Sequence, residues 1–226
     1  MTYLVFDTET TGIDVFEDRV VQLFAMVMAE NGEVLNAWEW VINPGVEVPE
    51  GAAEIHGFTT EYLQANGGDA TEALTAAWEL FFNHEDKVWV AYNLNFDLSI
   101  LNAEFARYNI ESDWGRRVAH SVRMLDPLVV DRAKDKYRKG KRTLEAVAPH
   151  YGVEFDPEAA HKADYDVEIT GKVALAVVEK YGLPSNEEQA LAYARWATHL
   201  QEYFRKTDPD ATVDGAWPLR VREERE

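Results

Sequence analysis

The 226-residue chain contains no cysteine. That absence excludes disulfides, zinc-thiolate sites and cysteine nucleophiles, and leaves oxygen and imidazole to hold any metal. Long apolar runs are also missing: clean stretches such as VALAVV at 173–178 fall far short of the ~20 residues that span a bilayer. No basic leader precedes the first apolar segment, so a soluble, cytoplasmic protein with no membrane partner is expected. Basic residues are scarce where acids are dense. Residues 1–115 carry 3 Lys/Arg against 21 Asp/Glu, whereas residues 116–142 carry 10 against 3, within a net charge of -19. This distribution predicts one local anion-binding surface on an acidic body.

At 46% hydrophobic, the chain has enough apolar material for one sizeable core. Alternating apolar patterns predict strands over 3–6, 19–29 and 34–44, with NGE at 31–33 turning between the last two. Helical spacing follows over 60–65 and 70–82, then a buried strand over 87–92, a helix over 96–108 and a strand over 121–126. Further helices are expected over 143–151, 164–181 and about 187–205, followed by an irregular tail. A β-meander that passes into β/α units implies an α/β fold with a mixed sheet flanked by helices.

The segment YLVFDTETTG ends an apolar strand on two acids one residue apart, Asp7 and Glu9. If the strand continues, both project from one side, where their charges need solvent, a basic partner or a cation. Asp97 stands at the start of the helix after the buried strand and, taken alone, is an ordinary dipole-favoured acid. His161 precedes Asp166 by five residues. Five residues of helix turn through about 500°, so the two diverge, and His161 is expected just outside the helix with Asp164 as a candidate cap. Asp166 shares a stripe with Thr170, Val173 and Val177, and an acid on an apolar stripe demands a partner. Four carboxylates on buried elements, with one histidine nearby, suit a pair of magnesium or manganese ions that activate water for phosphodiester cleavage.

FDTETTG, NLNFDLSIL and HKADYD resemble, in order and separation, the three motifs of the DEDDh 3'-to-5' exonucleases, the family of the proofreading epsilon subunit of bacterial DNA polymerase III. EIHGFT and KRTLEAVAPHYGV look like intervening family segments, and the resemblance covers about residues 1–182. It implies a ribonuclease H-like fold with a five-stranded mixed sheet over 1–182; the C-terminal helix and irregular tail over 183–226, read from the residues themselves, are expected to pack on it. It also implies two divalent cations, Mg2+ or Mn2+, with Asp7 bridging both and Glu9, Asp97 and Asp166 completing the ligation. His161 would take a proton from the attacking water. Backbone groups of Thr8, Thr10, Thr11 and Gly12 would lie near the terminal 3'-hydroxyl, with Ile13 and Phe96 against the last base or simply packed in the core. Many relatives have His-Asn where this chain has Tyr92-Asn93; Asn93 is retained as a substrate-side residue. His56 in IHG is read as structural. The expected substrate is a single-stranded DNA 3' end, with an RNA 3' end or a non-catalytic accessory module as the alternatives.

The basic segment around KGKR leads into the helix between motifs two and three. Arg138, Lys139, Lys141 and Arg142 are therefore expected to contact the nucleic-acid backbone, against the plainer reading of a solvated surface. The tail is similar to the ends of some stand-alone exonucleases of actinobacteria and their phages. It shows no clear polymerase- or clamp-binding peptide. Trp196, Tyr203, Phe204 and Trp217 are expected to dock the C-terminal helix and tail on the body.

Overall fold

The computed structural model describes residues 1–110, 114–160 and 162–222, the side chain at 119 aside. β1 (Thr2–Thr10), β2 (Val20–Ala29) and β3 (Val34–Asn43) form an antiparallel meander. Gly32, at φ 84°, makes the expected turn between the last two. Then follow α1 (Glu50–His56), α2 (Thr60–Asn66), a two-residue β4 (Gly68–Asp69), α3 (Ala70–Asn83) and β5 (Val88–Val90). Next come α4 (Leu94–Arg107), α5 (Trp114–His120), β6 (Arg123–Leu125), α6 (Pro127–Lys134), α7 (Leu144–Val147), α8 (Ala163–Tyr181) and α9 (Asn186–Phe204).

The sheet order is β4-β3-β2-β1-β5-β6, with β5 parallel to β1 and β6 parallel to β5. The expected mixed sheet is present, with six strands in place of five, because β4 adds a short parallel pairing at the edge of β3. The helix expected over 143–151 is broken. α7 stops at Val147 and Pro149 restarts the chain as a short 3-10 turn, since proline cannot donate to the preceding turn. Among the described residues no helix is long and apolar enough to cross a membrane.

Strand alternation divides the interior into two layers. Leu4 and Phe6 join Leu74, Phe81, Leu98, Leu101 and Phe105 of α3 and α4, while Tyr3 and Val5 join Val167, Val173 and Val177 of α8. α8 lies close on β1 and β2 because residue 171 is glycine. A Cβ there would meet the Met28 thioether at 2.7 Å and Val5 at 3.3 Å. On the C-terminal side Trp196 packs on the body and Trp217 is buried, as expected. Tyr203 and Phe204 do not dock: they lie at the exposed end of α9 and touch chiefly each other.

Candidate active site

β1 runs extended to Thr10, so the alternation that sorts its apolar residues also sorts its polar end. Asp7 and Glu9 share the parity of Tyr3 and Val5 and face the α8 side; Thr8 shares that of Leu4 and Phe6 and faces α4. Each helix presents an acid from its first turn: Asp166 on α8, along the stripe of Thr170, Val173 and Val177, and Asp97 on α4. Asp164 is exposed on α8 and caps nothing; Lys162 occupies the cap position, with no side-chain cap bond. His161 lies outside the described residues.

Asp97 is 2% exposed. One of its oxygens accepts from both the Thr8 N–H, at 3.0 Å, and the Thr8 hydroxyl, at 2.7 Å. The start of α4 is fixed from behind. Asn93 adopts a left-handed φ of 71°, a conformation asparagine tolerates, and its N–H donates to Asp126 Oδ1 at 3.3 Å. The same Asp126 oxygen caps α6 through the N–H groups of Leu128 and Val129. Burial pushes the Asp126 carboxyl up to about 6. Asp126 was not singled out in the sequence, although an acid directly before Leu-flanked Pro127 is a helix-start signal.

The acids act on one another. Burial first, and then Asp166, pushes Asp7 up to about 7. Glu9 rises to about 8, through burial and then the charges of Asp7 and Asp166. Asp97 is held well above the ordinary carboxylate range by burial and by Asp7, with the Thr8 bonds opposing. Asp7 is thus electrostatically linked to all three other acids. Among the described residues no three such side chains converge into a ready-made ligand cage. What the site offers is the donor chemistry: hard, anionic oxygens on rigid elements, each made costly by its neighbours, which fits a hard divalent cation.

The loop from Thr11 to Arg19 is built on Asp18. Its carboxylate accepts from the Thr11 hydroxyl at 2.9 Å and the Asp14 N–H at 2.8 Å. A Cβ on Gly12 would fall 2.5 Å from that carboxylate, so glycine is required for the close approach. The Thr10 hydroxyl donates to the Gly12 carbonyl at 2.6 Å. Arg19 anchors the loop's far end to buried Glu104 of α4 at 2.8 Å. The product is a fixed loop that presents Ile13 at 86% exposure, which rules out the core-packing reading of that residue. Phe96 is half-buried against the α3/α4 layer. His56 Nδ1 accepts from the Phe58 N–H, which leaves Nε2 to donate to the Thr10 carbonyl at 3.3 Å. Neutral His56, its pKa lowered by burial, therefore braces the end of β1.

The basic segment divides in two. Arg138 and Arg142 both grip the buried carboxylate of Asp131, Arg138 at 2.5 Å, and Arg142 also donates to the carbonyls of Asp135 and Arg138. Their guanidinium groups hold the 135–143 loop on α6, in place of the surface role expected for them. Lys139 and Lys141 remain exposed. The Tyr92 hydroxyl donates to the Arg142 carbonyl at 2.6 Å, so the residue that departs from the usual His-Asn pair pins this loop beside Asn93 and the start of α4.

The fold and the motifs have counterparts. Residues 4–174 match the Exonuclease family model, RNase_T. The chain is 30% identical over 190 residues to a PolC-type DNA polymerase III of Pediococcus pentosaceus, covering 82% of this chain and 12% of the polymerase. The corresponding polymerase of Ureaplasma parvum is 27% identical over 173 residues, covering 76% and 11%. Among solved structures, the zinc-bound complex of E. coli exonuclease I with single-stranded DNA superposes with a TM-score of 0.67 at 23% identity, covering 85% of this chain and 43% of that one. Exonuclease I of Methylocaldum szegediense gives 0.66 at 22% identity, covering 89% and 45%. The chain therefore spans about an eighth of the polymerases and under half of the exonucleases I. A ribonuclease H-like sheet, three ordered acidic motifs and a family match over most of its length place the chain in the exonuclease family, in its DEDD 3'–5' branch.

Proposed function

We propose that the chain is a divalent-cation-dependent 3'–5' exonuclease that releases 5'-mononucleotides from single-stranded DNA, with two Mg2+ or Mn2+ ions held by Asp7, Glu9, Asp97 and Asp166. The supporting observation is geometric: Asp7 and Glu9 leave one side of the end of β1, and Thr8 of the same strand bonds Asp97, so the acids are gathered where they press on one another. Bound ions would activate the attacking water and stabilise the leaving 3' oxygen. Asp7, linked to each of the other acids, would be central to holding the ions. Thr8 aims Asp97, while Asn93 and Asp126 hold the turn that carries it. Ile13, exposed on its braced loop, and Phe96 offer apolar surface to the terminal base, and the backbone of Thr8 and of Thr10 to Gly12 lies along the 3'-hydroxyl. His161 takes the proton from the water. Lys139 and Lys141 meet the incoming backbone, which four carboxylates would otherwise repel. The substrate is the polymer named for the E. coli neighbour.

The test follows end-labelled single-stranded DNA, duplex DNA and RNA with magnesium, manganese or EDTA, using the wild type and Asp7→Ala. Stepwise shortening of single-stranded DNA from its 3' end, dependent on cation and on Asp7, is expected. Cleavage that survives EDTA or Asp7→Ala would remove the metal site from the mechanism, and preferential shortening of RNA would reassign the substrate.

A further inference from the structure

The tail after α9 does not trail into solvent. It turns back and is fastened to the first turns of α4. Val213 donates to Gln201 Oε1 at 3.0 Å, and the Asp214 carboxylate closes the returning loop by accepting from the N–H groups of Ala216 at 2.8 Å and Val221 at 3.0 Å. Asn95 Nδ2 donates to the Ala216 carbonyl at 2.9 Å, the Ser99 hydroxyl accepts from the Arg220 N–H at 2.8 Å, and Trp217 is buried between these points. Farther along the strap, the Arg222 guanidinium pairs with Glu17 and lies over the Phe16 ring, on the loop that presents Ile13.

This course places Arg220 beside the turn that carries Phe96 and Asp97. Its guanidinium sits 5.6 Å over the Phe96 ring, with Nε bonded to Asn95 Oδ1 at 2.9 Å. Among the described residues Arg220 pairs with no carboxylate, as is also true of Arg123, Arg132, Arg195 and Arg205; what distinguishes Arg220 is that it is half-buried and held at both backbone and side chain against the turn before Asp97. A planar guanidinium fixed through Nε, with its two terminal nitrogens hydrogen-bonded to none of the described residues, is a fork suited to a phosphate. It also stands at the turn whose next residue is Asp97, so a strand whose last base meets Phe96 would bring a phosphate within its reach.

We propose that Arg220 is a substrate-positioning residue that binds a backbone phosphate of the strand as its 3'-terminal base meets Phe96, so that the tail completes the binding groove. The proposal rests on the exonuclease reading of the site. The full chain carrying Asp7→Asn would be titrated with a labelled oligothymidylate over a series of salt concentrations, alone and with Arg220→Met or Arg220→Lys added. Methionine keeps the stem over Phe96 and removes the charge; lysine keeps the charge. Arg220→Met should weaken binding about tenfold, the worth of one charge-assisted hydrogen bond. It should also reduce the slope of log affinity against log salt by about 0.7, one phosphate contact on a single strand. Lysine should restore most of the slope. In the active enzyme KM should rise and kcat change little. An unchanged slope in Arg220→Met overturns the proposal and assigns Arg220 to tail docking, even if the melting temperature falls. A slope that depends on Arg220 in a protein that hydrolyses no nucleic acid would overturn the exonuclease reading and leave the phosphate contact standing.

Discussion

Thr8 gives two hydrogen bonds to a single oxygen of Asp97, so the strand that carries two of the acids also orients a third from the opposite parity. The hydroxyl bond favours the ionised form of a carboxylate that burial and Asp7 push toward neutrality. Thr8→Val, which retains shape and the amide bond, should raise the cation concentration for half-maximal activity at pH 7 by about tenfold, as expected for loss of a bond to a charged acceptor. The deficit should shrink at pH 9, since higher pH favours the ionised form of Asp97 independently of that bond. Manganese titrations of activity at both pH values would decide it; equal curves for variant and wild type would show the hydroxyl to be idle.

The cation-free protein should lose stability as pH rises. Asp7 and Glu9 have ordinary values of 3.8 and 4.5 and are raised to about 7 and about 8 in the folded chain. Between those limits the native state holds protons that the unfolded chain has released, so the sign is destabilising with increasing pH, and the loss is complete above the folded values. Melting temperatures in EDTA should fall from pH 4.5 to 8.5, and saturating manganese should flatten the profile. A profile in EDTA as flat as that with manganese would contradict the crowding of the acids.

Asp7→Asn should abolish turnover and raise the EDTA melting temperature at pH 8.5, since it removes the charge linked to each of the other three acids. Calorimetry on the same variant should show loss of at least one cation. Wild-type stability together with wild-type binding would place the ions elsewhere.

His161→Ala should lower kcat by about two to four orders of magnitude, the usual worth of a positioned general base. Cation binding should persist, because the carboxylates are the ligands. The wild-type rate should climb with pH through the histidine range, and the variant should lack that limb. Calorimetric loss of cation binding would make His161 a ligand.

Substitution within the basic loop should separate folding from binding. Asp131 is fully buried and held by Arg138, Arg142 and the Tyr151 hydroxyl. Arg142→Ala leaves that charge short of a partner and should destabilise the protein by about 3 kcal/mol, measured by urea unfolding. Lys139→Ala with Lys141→Ala should leave unfolding unchanged and flatten the salt dependence of single-strand binding. The reverse pattern would return the arginines to the surface role and deny it to the lysines.

The sequence carried the acids and the meander plainly, because both depend on local period. Asp7 and Glu9 share a side by alternation alone, and Asp166 lies on its apolar stripe by helical spacing. Long-range partnership was not legible. Arg138 and Arg142 counted as surface cations until the loop brought them to Asp131, 7 and 11 residues away. Arg220 drew no attention in an irregular tail, since its place beside Phe96 depends on a reversal of the chain 121 residues from Ser99. α6 was missed although Asp126 before Pro127 announces a helix start, and Tyr92 looked like a lost histidine until its hydroxyl met the Arg142 carbonyl.

The pairing of Asp7 with Phe24 and of Thr8 with Leu23 has a consequence for how the fold can fail. A slip of one residue between β1 and β2 would turn both acids toward α4 and Thr8 toward α8, but it would also send Leu4 and Phe6 into the layer built for Tyr3 and Val5. The error that turns the acids away is the error that ruins both interiors. A chain stable enough to persist is, on this strand, a chain whose two acids already share the α8 side.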